Sequence, residues 1–273
     1  MSAEPTRVSS AWLDLRELAD AEARSRELVA HLRGFLPAGA PLLVHDLACG
    51  SGAMGRWLAP LLPGPQRWVL HDRDADLLAL AAADLPEPAA DGTGVTVQTR
   101  LSDVTQLRPD DLAGATLITA SALLDLLPPN ELTAVIDACA GAQCPVLFAL
   151  SVTGRVDLTP SDRLDSRIAA AFNSHQRRLT ARGRLLGRDA VDAAVEEFHR
   201  RGARVVVATS PWRLGATDSD LAVEWLNGWV DAACEQQPAL VPAADLYRRR
   251  RLREATIGAL AVTVGHADLL VLP

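Results

Sequence analysis

Over the first 150 residues, short apolar runs alternate with longer stretches in which leucine and alanine recur at helical spacing. Trp12, Leu15, Leu18, Leu28 and Leu32 stand among charged residues, with Gly34 and Pro37 behind them as stops, which predicts one amphipathic N-terminal helix over 11–34. Residues 42–47 (LLVHDL) read as a strand, then a small-residue loop and a helix at about 53–62. Strands at 68–71, 95–100, 115–119 and 145–150 follow, with helices at 74–84 and 130–140 between them. Alternation of this kind with short loops predicts βαβ units, and so a parallel sheet covered on both faces.

Beyond residue 150 the rhythm loosens. Helices are expected at 161–180 (opened by Ser161), 188–201 and 218–236, with a β-branched strand at 204–208. The 243–255 segment carries Arg248, Arg249, Arg250, Arg251 and Arg253, which reads as helix decoration or as a patch for an acidic partner. Apolar runs at 260–264 and 268–272 flank Gly265-His266, as in a closing hairpin or a bent strand. No repeat or linker interrupts the chain, so residues 1–273 are expected to form one domain with helical additions at 1–40, 155–185 and 215–255.

Composition narrows the chemistry. At 273 residues, 49% apolar and 22% charged, the chain is long enough to bury a full core. All 27 basic residues are arginine, and Tyr247 is the one tyrosine. Schiff-base and Walker-A lysines are therefore excluded, as is a Tyr-x-x-x-Lys hydride-transfer pair. A net charge of −7 disfavours nucleic acid as a partner. Cys49, Cys139, Cys144 and Cys234 show no metal spacing and read as reduced thiols. The first ten residues lack an apolar signal core, and no 18-residue uncharged apolar run occurs, so a cytoplasmic protein with no membrane span and no metal is expected.

The strongest chemical signal is Val44-His45-Asp46-Leu47-Ala48-Cys49-Gly50-Ser51-Gly52-Ala53-Met54-Gly55. A strand runs into a turn of small residues that opens a helix, which lets a ligand pack against backbone and face its N–H groups. Gly50-x-Gly52-x-x-Gly55 matches the dinucleotide fingerprint, which leaves an NAD(P)-dependent oxidoreductase as one reading. Asp46, just ahead of the glycines, suits a cationic amine or sulfonium better than a pyrophosphate. Asp72 ends the second strand, where a carboxylate can accept ribose hydroxyls or cap the following helix, although Asp74 is the better cap.

VHDLACGSG, VLHDRD, RLSDVTQL and LITASALLDLLP, in that order over residues 42–150, resemble the successive motifs of class I S-adenosylmethionine-dependent methyltransferases. The resemblance implies a Rossmann-like, doubly wound α/β fold: a mostly parallel seven-stranded sheet, helices on both faces, cofactor half at 42–150 and substrate half at 151–273. Ala48 stands where the family pattern usually has its first glycine. The resemblance further implies that S-adenosyl-L-methionine is the cofactor, with Asp46 toward its methionine amine, directly or through water. Ala48, Gly50 and Gly52 would lie along it and Asp72, beside Arg73, on its ribose. Ser102, Asp103 and Val104 would meet the adenine, and Ala120 and Ser121 the methionine side. Asp103 also reads as a plain turn aspartate, and Asp125 as a surface acid, a cap or a substrate group.

For the acceptor, a small and polar molecule is expected. His175 is the candidate base, with Asn173, Gln176 and Arg177 around it, and Trp212 and Arg213 on a loop after the sixth strand as a clamp. The bland alternatives are a solvated helix face for the first group, and a core cap with a solvated arginine for the second. A protein that binds the cofactor without turnover shares every one of these features.

Overall fold

The computed structural model describes residues 8–37, 39–84, 86 and 88–273. Five parallel strands carry the first half: β1 (Leu42–Leu47), β2 (Gln66–Asp72), β3 (Val95–Leu101), β4 (Leu117–Ser121) and β5 (Val146–Thr159). The second half adds β6 (Leu179–Thr180) and β7 (Gly183–Arg184), a separate small hairpin, then β8 (Arg204–Thr209), β9 (Trp212–Leu214) and β10 (Ala261–Leu272). The main sheet has eight strands in the order β3-β2-β1-β4-β5-β10-β8, with β9 paired to β10 off that path. β10 is antiparallel to β5, β8 and β9. The expected seven strands are this path, and β9, expected as a loop, is the extra strand. Strand order reverses between β1 and β4, and in open α/β sheets the ligand crevice lies at the carboxyl ends of the strands at such a point.

Successive strand residues point to opposite faces, and each face meets its own helices. Leu117, Leu147 and Leu270 pack with α2 (Arg26–Arg33) and α3 (Ala53–Leu58). Ile118, Phe148 and Leu269 pack with α5 (Pro129–Gly141) and α7 (Ala190–Arg200). α4 (Ala75–Ala83) begins at Asp74, whose Oδ1 accepts the Asp76 N–H at 3.0 Å, the capping role that residue was expected to fill. A third core joins the overhanging ends of β5 and β10 to α6 (Asp165–Gln176), α8 (Ser219–Gln236) and α9 (Val241–Thr256), through Ile168, Trp212, Trp225, Trp229, Tyr247 and Val262. Of the two expectations for Gly265-His266, the hairpin does not form and the irregular strand does: β10 runs through it with register shifts.

The single helix expected over 11–34 is two, α1 (Ser10–Ala23) and α2. The chain turns at Arg24 because Ser25 caps α2, its hydroxyl accepting the Leu28 N–H at 3.2 Å, while its own N–H donates to Asp268 Oδ2 on β10 at 2.8 Å. α1 is thereby carried across the carboxyl ends of the strands, against β9. The arginine run also differs from plain decoration. Arg251 is 1% exposed and forks onto both Asp165 oxygens at 2.7 and 2.8 Å, while Arg248 pairs with Asp231 and Arg250 with Asp162.

Candidate functional site

A cavity of about 550 Å³ opens over the carboxyl ends of the strands at the switch point. That volume lies in the range of small-molecule sites, roughly 300–1,000 Å³. Its floor is strained backbone. Ala48 (φ 53°), Ala122 (φ 52°) and Leu150 (φ 57°) are non-glycine residues in the left-handed region, and all three line the cavity. Each such conformation costs about 1–2 kcal/mol for an L-residue, and outliers of this kind concentrate at functional sites. Ala48 therefore takes the turn geometry of the glycine it stands in for. Gly50 (φ 55°) needs its missing Cβ for another reason: Leu13 of α1 lies 3.2 Å from where that atom would sit.

At the β1–β2 side, Asp72 lines the cavity. Its Oδ2 accepts the Gly50 N–H at 2.9 Å and its Oδ1 the Asp74 N–H at 2.9 Å. Arg73, Ser102, Asp103 and Val104 continue this wall. The Asp103 Oδ1 accepts both the N–H and the hydroxyl of Thr105, at 2.9 and 2.7 Å, so the turn role is filled by one oxygen only. Behind Ser102 lies a buried chain: His71 Nδ1 is 3.0 Å from Ser102 Oγ, and His71 Nε2 is 2.9 Å from His45 Nδ1. Burial, with arginine and histidine charge nearby, pushes both imidazoles down to about 4 and keeps them neutral.

Three residues expected at the cofactor do not line the cavity. Asp46 is fully buried beneath it; its Oδ1 accepts the Thr119 hydroxyl at 2.7 Å, and its Oδ2 has no hydrogen-bond partner among the described residues. Burial pushes its carboxyl up to about 7, against the Thr119 bond and the Arg24 charge. Gly52 (φ 88°) packs on α4, where a Cβ would meet Ala81 at 3.1 Å. Ala120 is buried in the face covered by α5 and α7. Ser121 does line the cavity and accepts from Arg24 Nη2 at 3.2 Å.

The acceptor-side expectations fare unevenly. His175 lies outside the cavity: its Nε2 faces Glu235 Oε2 of α8 at 3.2 Å, because α6 packs that side on α8. Asn173 is tied to the Gly154 carbonyl at 2.9 Å, and Arg177 pairs with Asp189 at 2.9 Å. Arg213 is exposed on β9. Gln176 and Trp212 do line the cavity, Trp212 as a strand residue whose indole N–H donates to Asp20 Oδ1 at 2.9 Å.

The residues not anticipated come from elements that cross the cavity from far along the chain. Trp12 and Arg16 of α1, Trp225 of α8 and His266 of β10 all line it. The Arg16 guanidinium lies 4.9 Å from the Trp212 ring centroid and is held by both Asp20 oxygens at 3.0 and 3.1 Å. The signal available in the sequence was the pairing of Trp12 and Arg16 on one helical face. Asp125 is a buried cavity residue, and burial pushes its carboxyl up to about 6. Burial likewise pushes His266 down to about 3. No helix among the described residues is long and apolar enough to cross a membrane.

No family model matches the chain, and no curated protein matches it. Solved structures do. Loganic acid methyltransferase with S-adenosylhomocysteine superposes with a TM-score of 0.53 at 10% identity, covering 98% of each chain. The cyclopropane synthase MmaA2 from Mycobacterium tuberculosis gives 0.50 at 12% identity, covering 97% of this chain and 94% of its own. The chain therefore has the Rossmann-like α/β fold of S-adenosylmethionine-dependent methyltransferases, as its motif order implies.

Proposed function

We propose that this protein is an S-adenosylmethionine-dependent methyltransferase acting on a small molecule. The observation that carries the reading is the Asp72 carboxylate, set at the cavity wall and tied to the Gly50 N–H of the glycine turn at 2.9 Å. Its remaining lone pairs suit a pair of ribose hydroxyls. The chain's own residues fit the cofactor: Ala48 and Gly50 offer bare backbone, Ser102, Asp103 and Val104 a polar turn for the adenine, and Ser121 the methionine side. Bound S-adenosylmethionine supplies an electrophilic sulfonium methyl group. Asp46 acts from behind the turn, holding β1 to β4 through Thr119 rather than meeting the ligand directly. The protein's part in transfer is then to orient an acceptor in line with that methyl and to exclude water, and the indoles of Trp12, Trp212 and Trp225 give the cavity apolar lining suited to both.

His175 has no part in this reading, since it faces Glu235 and not the cavity. Calorimetry tests the proposal: S-adenosylhomocysteine and S-adenosylmethionine give saturable heat and NADH gives none. Transfer of labelled methyl from S-adenosylmethionine to a small-molecule extract fraction separates turnover from binding alone. Saturable NADH binding with no heat from either sulfur compound sinks the proposal.

A further inference from the structure

Two histidines stand in a part of the sheet otherwise filled by apolar side chains. His45 on β1 and His71 on β2 share one face: strand register sets Leu47 beside His71, and Ile118 and Ala120 of β4 beside His45 and Leu47. Leu47, Ile118 and Ala120 all belong to the core of that face. The two imidazoles are only 2% and 0% exposed. A buried polar group costs free energy unless it is hydrogen-bonded, and the surrounding hydrocarbon offers these rings nothing.

They find partners in each other and in one group of the candidate site. His45 Nδ1 and His71 Nε2 are 2.9 Å apart while the ring centroids are 5.1 Å apart, so the rings meet edge to edge and not face to face. His71 Nδ1 lies 3.0 Å from Ser102 Oγ, and both nitrogens of His71 are thereby committed. A neutral imidazole carries one N–H and one lone pair, so in either tautomer His71 donates at one end and accepts at the other. Ser102 is half-buried and lines the cavity, which puts the cavity end of the chain at its hydroxyl. The Ser102 N–H donates to the Asp72 carbonyl at 2.8 Å, so the sheet sets its backbone and His71 its side chain. The Arg100 carbonyl is 3.4 Å from Ser102 Oγ, beyond the roughly 2.5–3.0 Å of a good O–H···O bond, and holds the hydroxyl weakly.

Resting on the methyltransferase reading above, we propose that His71, buttressed by His45, is a positioning residue for cofactor recognition: it holds the Ser102 hydroxyl as a hydrogen-bonding partner for the adenine ring. A serine side chain with no partner samples several rotamers, and ordering it on binding costs entropy. The bond to His71 removes that freedom before the ligand arrives, and such preorganisation raises affinity. Neither histidine touches the reacting atoms, and no bond is made or broken in this role. The pair acts through Ser102.

Calorimetry with S-adenosylhomocysteine on the full chain tests the pair. Ser102→Ala and His71→Leu each weaken binding about three- to tenfold, the size of one hydrogen bond between neutral groups. In the Ser102→Ala background His71→Leu changes affinity by less than about twofold, because the group it positions is gone. His71→Asn, which offers an amide in place of Nδ1, binds more tightly than His71→Leu, although leucine suits the apolar surroundings better; a packing role for His71 gives the reverse order. In the wild-type chain, saturation with S-adenosylhomocysteine moves the ring nitrogen resonances of His71 and His45 and leaves those of the exposed His31 and His199 in place. That measurement requires no variant to fold. Equal losses from His71→Leu in both backgrounds, tighter binding by the leucine variant than by the asparagine variant, or His71 resonances indifferent to the ligand overturns the inference. Wild type that binds S-adenosylhomocysteine and shows any of these loses the histidine role alone. Wild type that gives no heat loses the cofactor reading, and the histidine role with it.

Discussion

The Asp72 carboxylate and the Gly50 N–H, 22 residues apart in sequence, meet at 2.9 Å across the mouth of the cavity. One side chain thereby fixes the glycine turn and presents the proposed ribose contact. Asp72→Ala removes both functions and also strips the Asp74 N–H of its acceptor. S-adenosylhomocysteine affinity should fall at least about tenfold, since hydrogen bonds to charged groups are worth about 1.5–3 kcal/mol each. Asp72→Asn, which retains one acceptor oxygen, should fall in between. Calorimetry on the two variants checks the order, and unchanged affinity in Asp72→Ala removes Asp72 from the cofactor site.

Asp46 makes a prediction about pH. Its carboxyl has an ordinary value of 3.8 and is pushed by burial up to about 7 in the folded chain. Below pH 4 the group is protonated folded or unfolded, and its contribution is fully present. As pH rises toward 7 the unfolded chain ionises and the folded one does not, so stability is lost at about 1.4 kcal/mol per pH unit. Asp46→Asn keeps an oxygen for the Thr119 hydroxyl and cannot ionise. The variant should gain on wild type between pH 4 and 7 and hold that gain above. His45 and His71, pushed down to about 4 chiefly by burial, act in the opposite direction in both proteins and cancel from the difference. Urea unfolding at pH 5 and pH 8 measures it; an equal gap at the two pH values rules the assignment out.

Arg24 bolts the N-terminal segment to the site. It is 3% exposed, lies over the Trp57 ring at 5.4 Å, and donates to Ser121 Oγ at 3.2 Å and to the Ala53 carbonyl at 3.5 Å. Arg24→Met keeps most of the buried stem and drops the guanidinium. It should cost about 1–3 kcal/mol through the partners left unpaired and should also weaken S-adenosylhomocysteine binding, because Ser121 lines the cavity. Arg33→Met, on an exposed face of α2, serves as the control and should change neither. Thermal unfolding with and without S-adenosylhomocysteine reads both effects.

What the sequence made legible was local. The five parallel strands and the Asp74 cap lie where strand period and turn chemistry placed them, and Ala48, Gly50, Asp72 and Ser102 to Val104, which the motif resemblance put beside a ligand, line the cavity. What escaped was set by partners distant in the chain. The break between α1 and α2 depends on Asp268, 243 residues beyond Ser25. His175 and Gln176 are adjacent on α6, yet Gln176 lines the cavity while His175 turns to Glu235, a choice made by how α6 docks on α8. Helical periodicity identifies a polar face but does not say which neighbour it meets. The same limit applies to Asp46: an acid before the glycines reads as a ligand contact, and only the sheet pairing shows that one of its oxygens is taken by Thr119 on β4.

The arginine run supplies the sharpest contrast between identical neighbours. Arg251 is 1% exposed; besides its fork onto Asp165 it donates to the Pro160 carbonyl at 2.6 Å and to Glu254 at 2.8 Å, and the Tyr247 hydroxyl shares the same Asp165 at 2.7 Å. Removing one partner of a buried ion pair leaves the other charge desolvated and costs about 3–5 kcal/mol. Arg251→Met should therefore lower stability by that order. Arg251→Lys should recover only part of it, because an ammonium cannot reproduce the planar fork on the two Asp165 oxygens. Arg249 is exposed and, among the described residues, bonded only to the Asp245 carbonyl one turn back, at 3.3 Å, so Arg249→Ala should stay within about 0.5 kcal/mol of wild type. Denaturant unfolding of the three variants orders them. Equal losses at 249 and 251 would show that the run contributes charge alone, and not the buried link between α9 and α6 that Arg251 and Asp165 form.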